Sequence, residues 1–242
     1  MHRYQVYTPE FAKEYDKSVY NGYYDYKKTA KALVAILKSK HEVLELGIGT
    51  GNIAIPLAKL GFSVYGIDYS AKMLEILKKK LKNTGLKIVL QKASSTNFRF
   101  PKKFDGIFSH GGAITYIRTE KGLFLERAFL DKNDLMRTFK NVANHLKNGG
   151  LFIINVQSEH TKIKELPLKN GCTYTSKLIF KEEFAYKTHF ILKGKKIIAQ
   201  QTIKAIRIPY EKVKEELKQL GFTNFKIDES KQFRYCFIKR GI

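Results

Sequence analysis

Glu45, Gly47, Gly49, Gly51 and Asp68 are the residues of this chain whose types and spacing point most directly to chemistry. The stretch Val43-Leu44-Glu45-Leu46-Gly47-Ile48-Gly49-Thr50-Gly51-Asn52 joins an apolar strand to an apolar helix through a turn with glycine at alternate positions. Glycine tolerates positive φ and lets a ligand approach the backbone, so the turn suits part of a nucleoside. A pyrophosphate is served instead by Gly-x-Gly-x-x-Gly over a helix N-terminus with no acid at its mouth. Glu45 at the strand end repels phosphate and favours a ligand that carries positive charge. Asp68 closes the next apolar strand about twenty residues after Gly47, the interval at which an acid meets a ribose in nucleotide-binding α/β units. His110, just past a later strand, is placed to exchange a proton near neutral pH.

These residues need elements to position them, and the periodicity supplies them. Helices are expected at 9–20 and 26–38, the second with an apolar stripe at Ala30, Leu33, Val34 and Leu37. There follow strand 43–47, helix 51–60, strand 63–67, helix 70–82, strands 87–91 and 104–109, helix 131–147 and strand 150–156. Such alternation implies right-handed crossovers and a doubly wound parallel sheet. The tail reads as helix 209–220 and strands 222–228 and 234–240. Between lie three β-rich runs, 173–180, 184–192 and 196–207, expected as a small antiparallel sheet over the C-terminal edge of the core, where open α/β sheets bind ligands. The chain thus divides into a helical cap with the first core helix (1–38), a core (39–156), an antiparallel β insertion (157–207) and a closing helix and hairpin (208–242).

The pattern Glu-x-Gly-x-Gly-x-Gly, then a strand ending in Asp68 and the run Tyr69-Ser70-Ala71-Lys72-Met73-Leu74, resembles class I S-adenosylmethionine-dependent methyltransferases. The resemblance implies an α/β fold with a mostly parallel seven-stranded sheet, S-adenosylmethionine as cofactor and S-adenosylhomocysteine as product. It implies cofactor contacts at Glu45, near the methionine moiety, at Gly47, Gly49 and Gly51, and at Asp68, on the ribose hydroxyls. Tyr69, Met73, Ser94, Ser95 and Ser109 are further expected contacts; Ser94 stands where the family commonly has Asp, which removes a charge-assisted bond to the adenine amine. Tyr15 and Tyr24, in a tyrosine-rich segment similar to the cap of small-molecule enzymes of this family, are expected to cover the cofactor. His110 is the candidate base, with Tyr116 and His189 as weaker candidates.

The acceptor is read from the block Ser109-His110-Gly111-Gly112 and the aromatic Tyr116 a few residues on. The Asn/Asp-Pro-Pro-Tyr/Phe motif of nucleobase amine methylation is absent, and neither Cys172 nor Cys236 stands where a nucleophile for base C5 methylation belongs. The block resembles that of small-molecule N- and O-methyltransferases, including sugar-nucleotide and glycine-type enzymes; a quinone-type C-methyltransferase is an alternative. The net charge of +23, from 45 Lys and Arg against 22 Asp and Glu, has three readings: an RNA acceptor, an anionic small acceptor, or lysines that serve solubility. The six histidines and two cysteines show no ligand spacing, so no metal is expected. With no long apolar run, the expectation is a cytoplasmic protein, monomer or homodimer, with no membrane partner.

Overall fold

A computed structural model describes residue 16 and residues 25–111, 113–127, 132–159, 162–168, 171–181 and 184–239. The expected helix 9–20, Tyr15 and Tyr24 lie outside these, with Asp16 alone described from that stretch. Helix α1 (Tyr26–Leu37) begins where the Asp25 carboxylate accepts the Lys28 amide, and buries Thr29, Ala30, Leu33, Ile36 and Leu37 along one stripe. Strand β1 (Glu42–Leu46), helix α2 (Ala54–Lys59), strand β2 (Ser63–Asp68), helix α3 (Ala71–Leu81) and strand β3 (Ile88–Lys92) follow. Ser70 caps α3 by accepting the Met73 amide at 3.3 Å. Strand β4 (Phe104–Ser109) leads into a hairpin of β5 (Ile114–Thr119) and β6 (Gly122–Arg127), then helix α4 (Lys132–His145) and the long strand β7 (Leu146–Ser158).

The central sheet has the order β3-β2-β1-β4-β7-β13-β12, where β12 (Phe222–Ile227) and β13 (Phe233–Ile238) form the closing hairpin after helix α5 (Tyr210–Gln219). All neighbours from β3 to β7 are parallel, and β13 runs antiparallel to β7. This is the expected seven-stranded sheet. The alternation of strand side chains gives it two faces. Leu44, Leu46, Ile107, Phe152 and Ile154 pack with α4 and α5, whereas Val43, Val64, Phe108, Leu151 and Ile153 pack with α1, α2 and α3. The chain moves outward from β1 through β2 to β3, then returns to place β4 on the other side of β1. The crevice at that reversal is where open α/β sheets take ligands, and it holds both the glycine turn and His110.

The insertion is larger than the sequence suggests. Strands β8 (Lys162–Pro167), β9 (Thr173–Lys181), β10 (Phe184–Lys193) and β11 (Lys196–Pro209) form a meander, and β11 pairs with β6. The β5–β6 hairpin, where no element was expected, connects this sheet to the core, because β5 runs parallel to the last residues of β7. Its β-branched and aromatic residues are plain in Ile114-Thr115-Tyr116-Ile117 and Leu123-Phe124-Leu125, yet a β-hairpin within a βαβ series departs from the strand–helix alternation and was hidden by it.

Candidate active site

The glycine turn is built as its composition suggests. Gly47, Gly49 and Gly51 have φ of 73°, 54° and 81°, a region that side chains with a Cβ enter at a cost. The Gly47 and Ile48 amides both donate to the Ile67 carbonyl at 2.9 Å, which ties the end of β1 to β2. Two of the three positions differ in what surrounds them. A Cβ on Gly51 would meet Leu77 Cδ1 at 2.3 Å, so that glycine is needed for packing of α3; a Cβ on Gly49 would meet nothing within 4 Å among the described residues. Gly49 therefore faces open space, the geometry a ligand requires.

The two carboxylates sit on the same face of the sheet beside that space. Asp68 is 8% exposed; its Oδ2 accepts the Gly49 amide at 2.9 Å and its Oδ1 the Ser70 amide at 2.8 Å. Burial raises its pKa, and the amides of Ser70, Gly49 and Tyr69 pull the other way. Glu45 is 3% exposed, and its Oε2 has no hydrogen-bond partner among the described residues. Burial raises its pKa well above the carboxylate range, and the neighbouring charge of Asp68 adds to the rise. Two buried, mutually repelling acids, one with an unsatisfied oxygen, call for a cation and for hydroxyl donors. An S-adenosylmethionine nucleoside, with its sulfonium, ammonium and ribose hydroxyls, fits this set; a phosphate does not.

His110 joins this group on the same face. Its ring centroid lies 6.1 Å from Tyr26 and 6.2 Å from Phe233. Burial lowers its pKa to about 4, so it is a neutral imidazole at pH 7. The turn after it is held by Asn155, whose Oδ1 accepts the Gly111 amide at 3.0 Å. Met73 is buried and Tyr69 half-buried just after Asp68.

Other expected side chains are engaged elsewhere. Tyr116 does not join the site: it is 3% exposed on the opposite face of the sheet, edge-on to Tyr210 at 5.4 Å, in a tight cleft with Ile154 and Cys236. Pairing of Tyr116 with Val156 decides that face. The Ser109 hydroxyl is 2.8 Å from the Ile114 carbonyl and accepts the Ile114 amide at 3.2 Å, fastening the exit of β4. Ser94 Oγ accepts from the Thr96 amide and hydroxyl, at 3.3 and 3.0 Å, within its own turn. Ser95 Oγ lies 3.0 Å from Thr138 Oγ1 and accepts from Arg127 Nη2 at 3.3 Å, toward α4.

Sequence reasoning missed a polar tie on the outer side of the glycine turn. Lys80 Nζ pairs with Asp16 at 2.7 Å and donates to the Thr50 carbonyl at 2.9 Å and to Asn52 Oδ1 at 3.1 Å, while the Thr50 hydroxyl donates to Asp16. In Lys78-Lys79-Lys80 nothing but position on α3 distinguishes the third lysine. Arg127, 1% exposed and donating to the Asp134 carbonyl at 2.7 Å, was missed as well.

Comparison with known proteins agrees with this geometry. Residues 43–150 match the family described as Methyltransferase domain. The putative methyltransferase YqeM of Bacillus subtilis (strain 168) is 33% identical over 156 residues, covering 64% of this chain and 57% of that protein. The chain spans about half the length of the curated relatives it matches. Among solved structures, an S-adenosylmethionine-dependent methyltransferase from Clostridium acetobutylicum ATCC 824 superposes with a TM-score of 0.69 at 22% identity, over 96% of this chain and 98% of that one. The sugar N-methyltransferase KedS8 from Streptoalloteichus sp ATCC 53650 does so with a TM-score of 0.68 at 15% identity, over 93% of each. Residues 43–150 thus resemble a methyltransferase domain, and the chain shares the fold of the class I S-adenosylmethionine-dependent methyltransferases.

Proposed function

We propose that the protein transfers a methyl group from S-adenosylmethionine to a nitrogen or oxygen atom of a small polar acceptor. The observation that carries this reading is the buried Glu45 carboxylate, whose Oε2 lacks a hydrogen-bond partner among the described residues, beside Asp68 at the open side of Gly49. When bound there, the cofactor supplies an activated methyl on sulfur, so the protein's task is to align the acceptor and exclude water. Glu45 and Asp68 neutralise and orient the cofactor. His110, kept neutral by burial, takes the proton that an amine or hydroxyl must lose on attack. Its lowered basicity is more compatible with an amine, which attacks as the neutral free base, than with an alcohol, which needs a base to become nucleophilic. The likeness to a sugar N-methyltransferase supports the same choice. The cap tyrosines Tyr15 and Tyr24 and the residues Tyr69 and Met73 complete the proposed cofactor contacts.

Calorimetry with S-adenosylhomocysteine tests the cofactor site. Asp68→Ala should weaken binding by roughly 1.5–3 kcal/mol, the order of a lost pair of charge-assisted hydrogen bonds. Unchanged affinity would reject the assignment. An RNA acceptor is the second reading, favoured by the +23 charge. A salt-dependent gel shift of tRNA or rRNA that is accompanied by methyl incorporation would select it over small amines.

A further inference from the structure

The insertion carries a row of polar side chains on the face that continues the one holding Glu45, Asp68 and His110. The register shows the continuity. Tyr116 and Val156 share the far face, so Thr115 and Asn155 share the near one, and Thr115 lies opposite Glu126, which lies opposite Arg207. Along β11 on that face, Ala205 pairs with Ala185, Ile203 with Lys187 and Gln201 with His189; Ser176 of β9 lies directly across from His189. Near the core, the charges on this face are matched. Arg207 donates to Glu126 at 2.9 Å and to Glu159 at 2.6 Å.

Further along, they are not. Ser176 is 3% exposed and its hydroxyl has no hydrogen-bond partner among the described residues. Lys187, half-buried, has no hydrogen bond or ion pair among the described residues, because Arg207 already engages Glu126. Between them stands His189, whose Nδ1 is 2.7 Å from the Tyr174 hydroxyl, an arrangement that holds the ring in place. Neighbours two apart along a strand, or diagonal across a pair, are about 7 Å apart, so Lys187, His189 and Ser176 can converge on one small group. A buried hydroxyl without a partner and an ammonium without a counter-ion both cost free energy that an oxyanion would recover.

We infer that Lys187, Ser176 and His189 form a binding site for an anionic oxygen group, carboxylate or phosphate, by which the acceptor is held on the insertion while its nucleophile reaches the methyl site. Burial lowers the pKa of Lys187, with the Glu126 charge opposing and Arg207 assisting that shift, and an anion would restore it. The link to the acceptor rests on the methyl-transfer reading; the anion site itself does not.

Sodium phosphate and sodium acetate titrated into the full chain, labelled with 15N-histidine, with and without S-adenosylhomocysteine, test the inference. The His189 ring signals, assigned with His189→Gln, should shift saturably with at least one anion; phosphate alone identifies a phosphoester, acetate alone a carboxylate. Lys187→Met and, independently, Ser176→Ala should weaken that binding about tenfold and leave S-adenosylhomocysteine affinity within twofold. No shift with either anion, or a shift of equal affinity in Lys187→Met, would overturn the site. Calorimetry on the same samples keeps the two readings apart, since absence of heat with S-adenosylhomocysteine rejects the cofactor assignment whatever the anions do.

Discussion

Glu45 is placed at a cost that only a ligand offsets. Its carboxyl is buried, one oxygen lacks a partner and Asp68 repels it, so its pKa in the ligand-free fold lies well above 4.5. A raised carboxyl pKa contributes stability that is complete below the unfolded value and is lost as pH rises through the folded one. Glu45→Gln should therefore stabilise the ligand-free protein at pH 7 by about 1 kcal/mol, roughly 2–4 °C in Tm, and weaken cofactor binding. A thermal melt showing no gain would remove the repulsion argument. His110 works in the opposite direction. Its folded pKa of about 4 lies below the ordinary 6.5, so its contribution is present above pH 6.5 and is lost as pH falls through 4. Urea titrations from pH 7 to 4 should lose stability more shallowly in His110→Gln. For turnover, His110→Ala should lower kcat about 10²-fold or more with little change in cofactor affinity; an unchanged kcat would rule it out as the base.

The glycine turn separates packing from binding at the level of one element. Gly51→Ala imposes both left-handed strain and a collision with Leu77, which carries α3, and should cost about 2–5 kcal/mol of stability. Gly49→Ala meets open space and should cost only about 1–2 kcal/mol, yet it places a methyl where the cofactor is to lie. Denaturant unfolding and calorimetry on the two variants should thus rank them in opposite order of expected damage: Gly51→Ala worse for the fold, Gly49→Ala lost chiefly in affinity. Equal stability losses would contradict the open geometry of Gly49. The Asp16–Lys80 pair belongs to the same element, since it joins α3 and the turn to the segment that precedes α1.

At the scale of the whole molecule, the insertion and core behave as one continuous sheet joined through β5, β6 and the end of β7. Arg207 fastens that junction, at 14% exposure, between Glu126 and Glu159. Arg207→Ala leaves two half-buried acids without their cation and should destabilise by about 1–3 kcal/mol. It should raise the acceptor KM while S-adenosylhomocysteine affinity holds, because the glycine turn lies on the other side of β4. Loss of both affinities together would mean that insertion and cofactor site are not separable. Among the described residues no helix is long and apolar enough to cross a membrane.

Local chemistry made the central sheet, the glycine turn, Glu45 and Asp68 legible in the sequence, because strand alternation, positive φ and the spacing between neighbouring strands are properties of short stretches of chain. Tyr116 and Ser95 could not be read that way. Each stands near the motif in sequence, and which face its side chain takes depends on a pairing or packing partner beyond the motif: Val156 for Tyr116, Thr138 for Ser95. Lys80, Arg127 and the convergence of Lys187, His189 and Ser176 were likewise decided by tertiary structure alone. A lysine or a buried serine has the same composition whether it meets water, a carbonyl or a ligand, and only the fold determines which of these lies within reach.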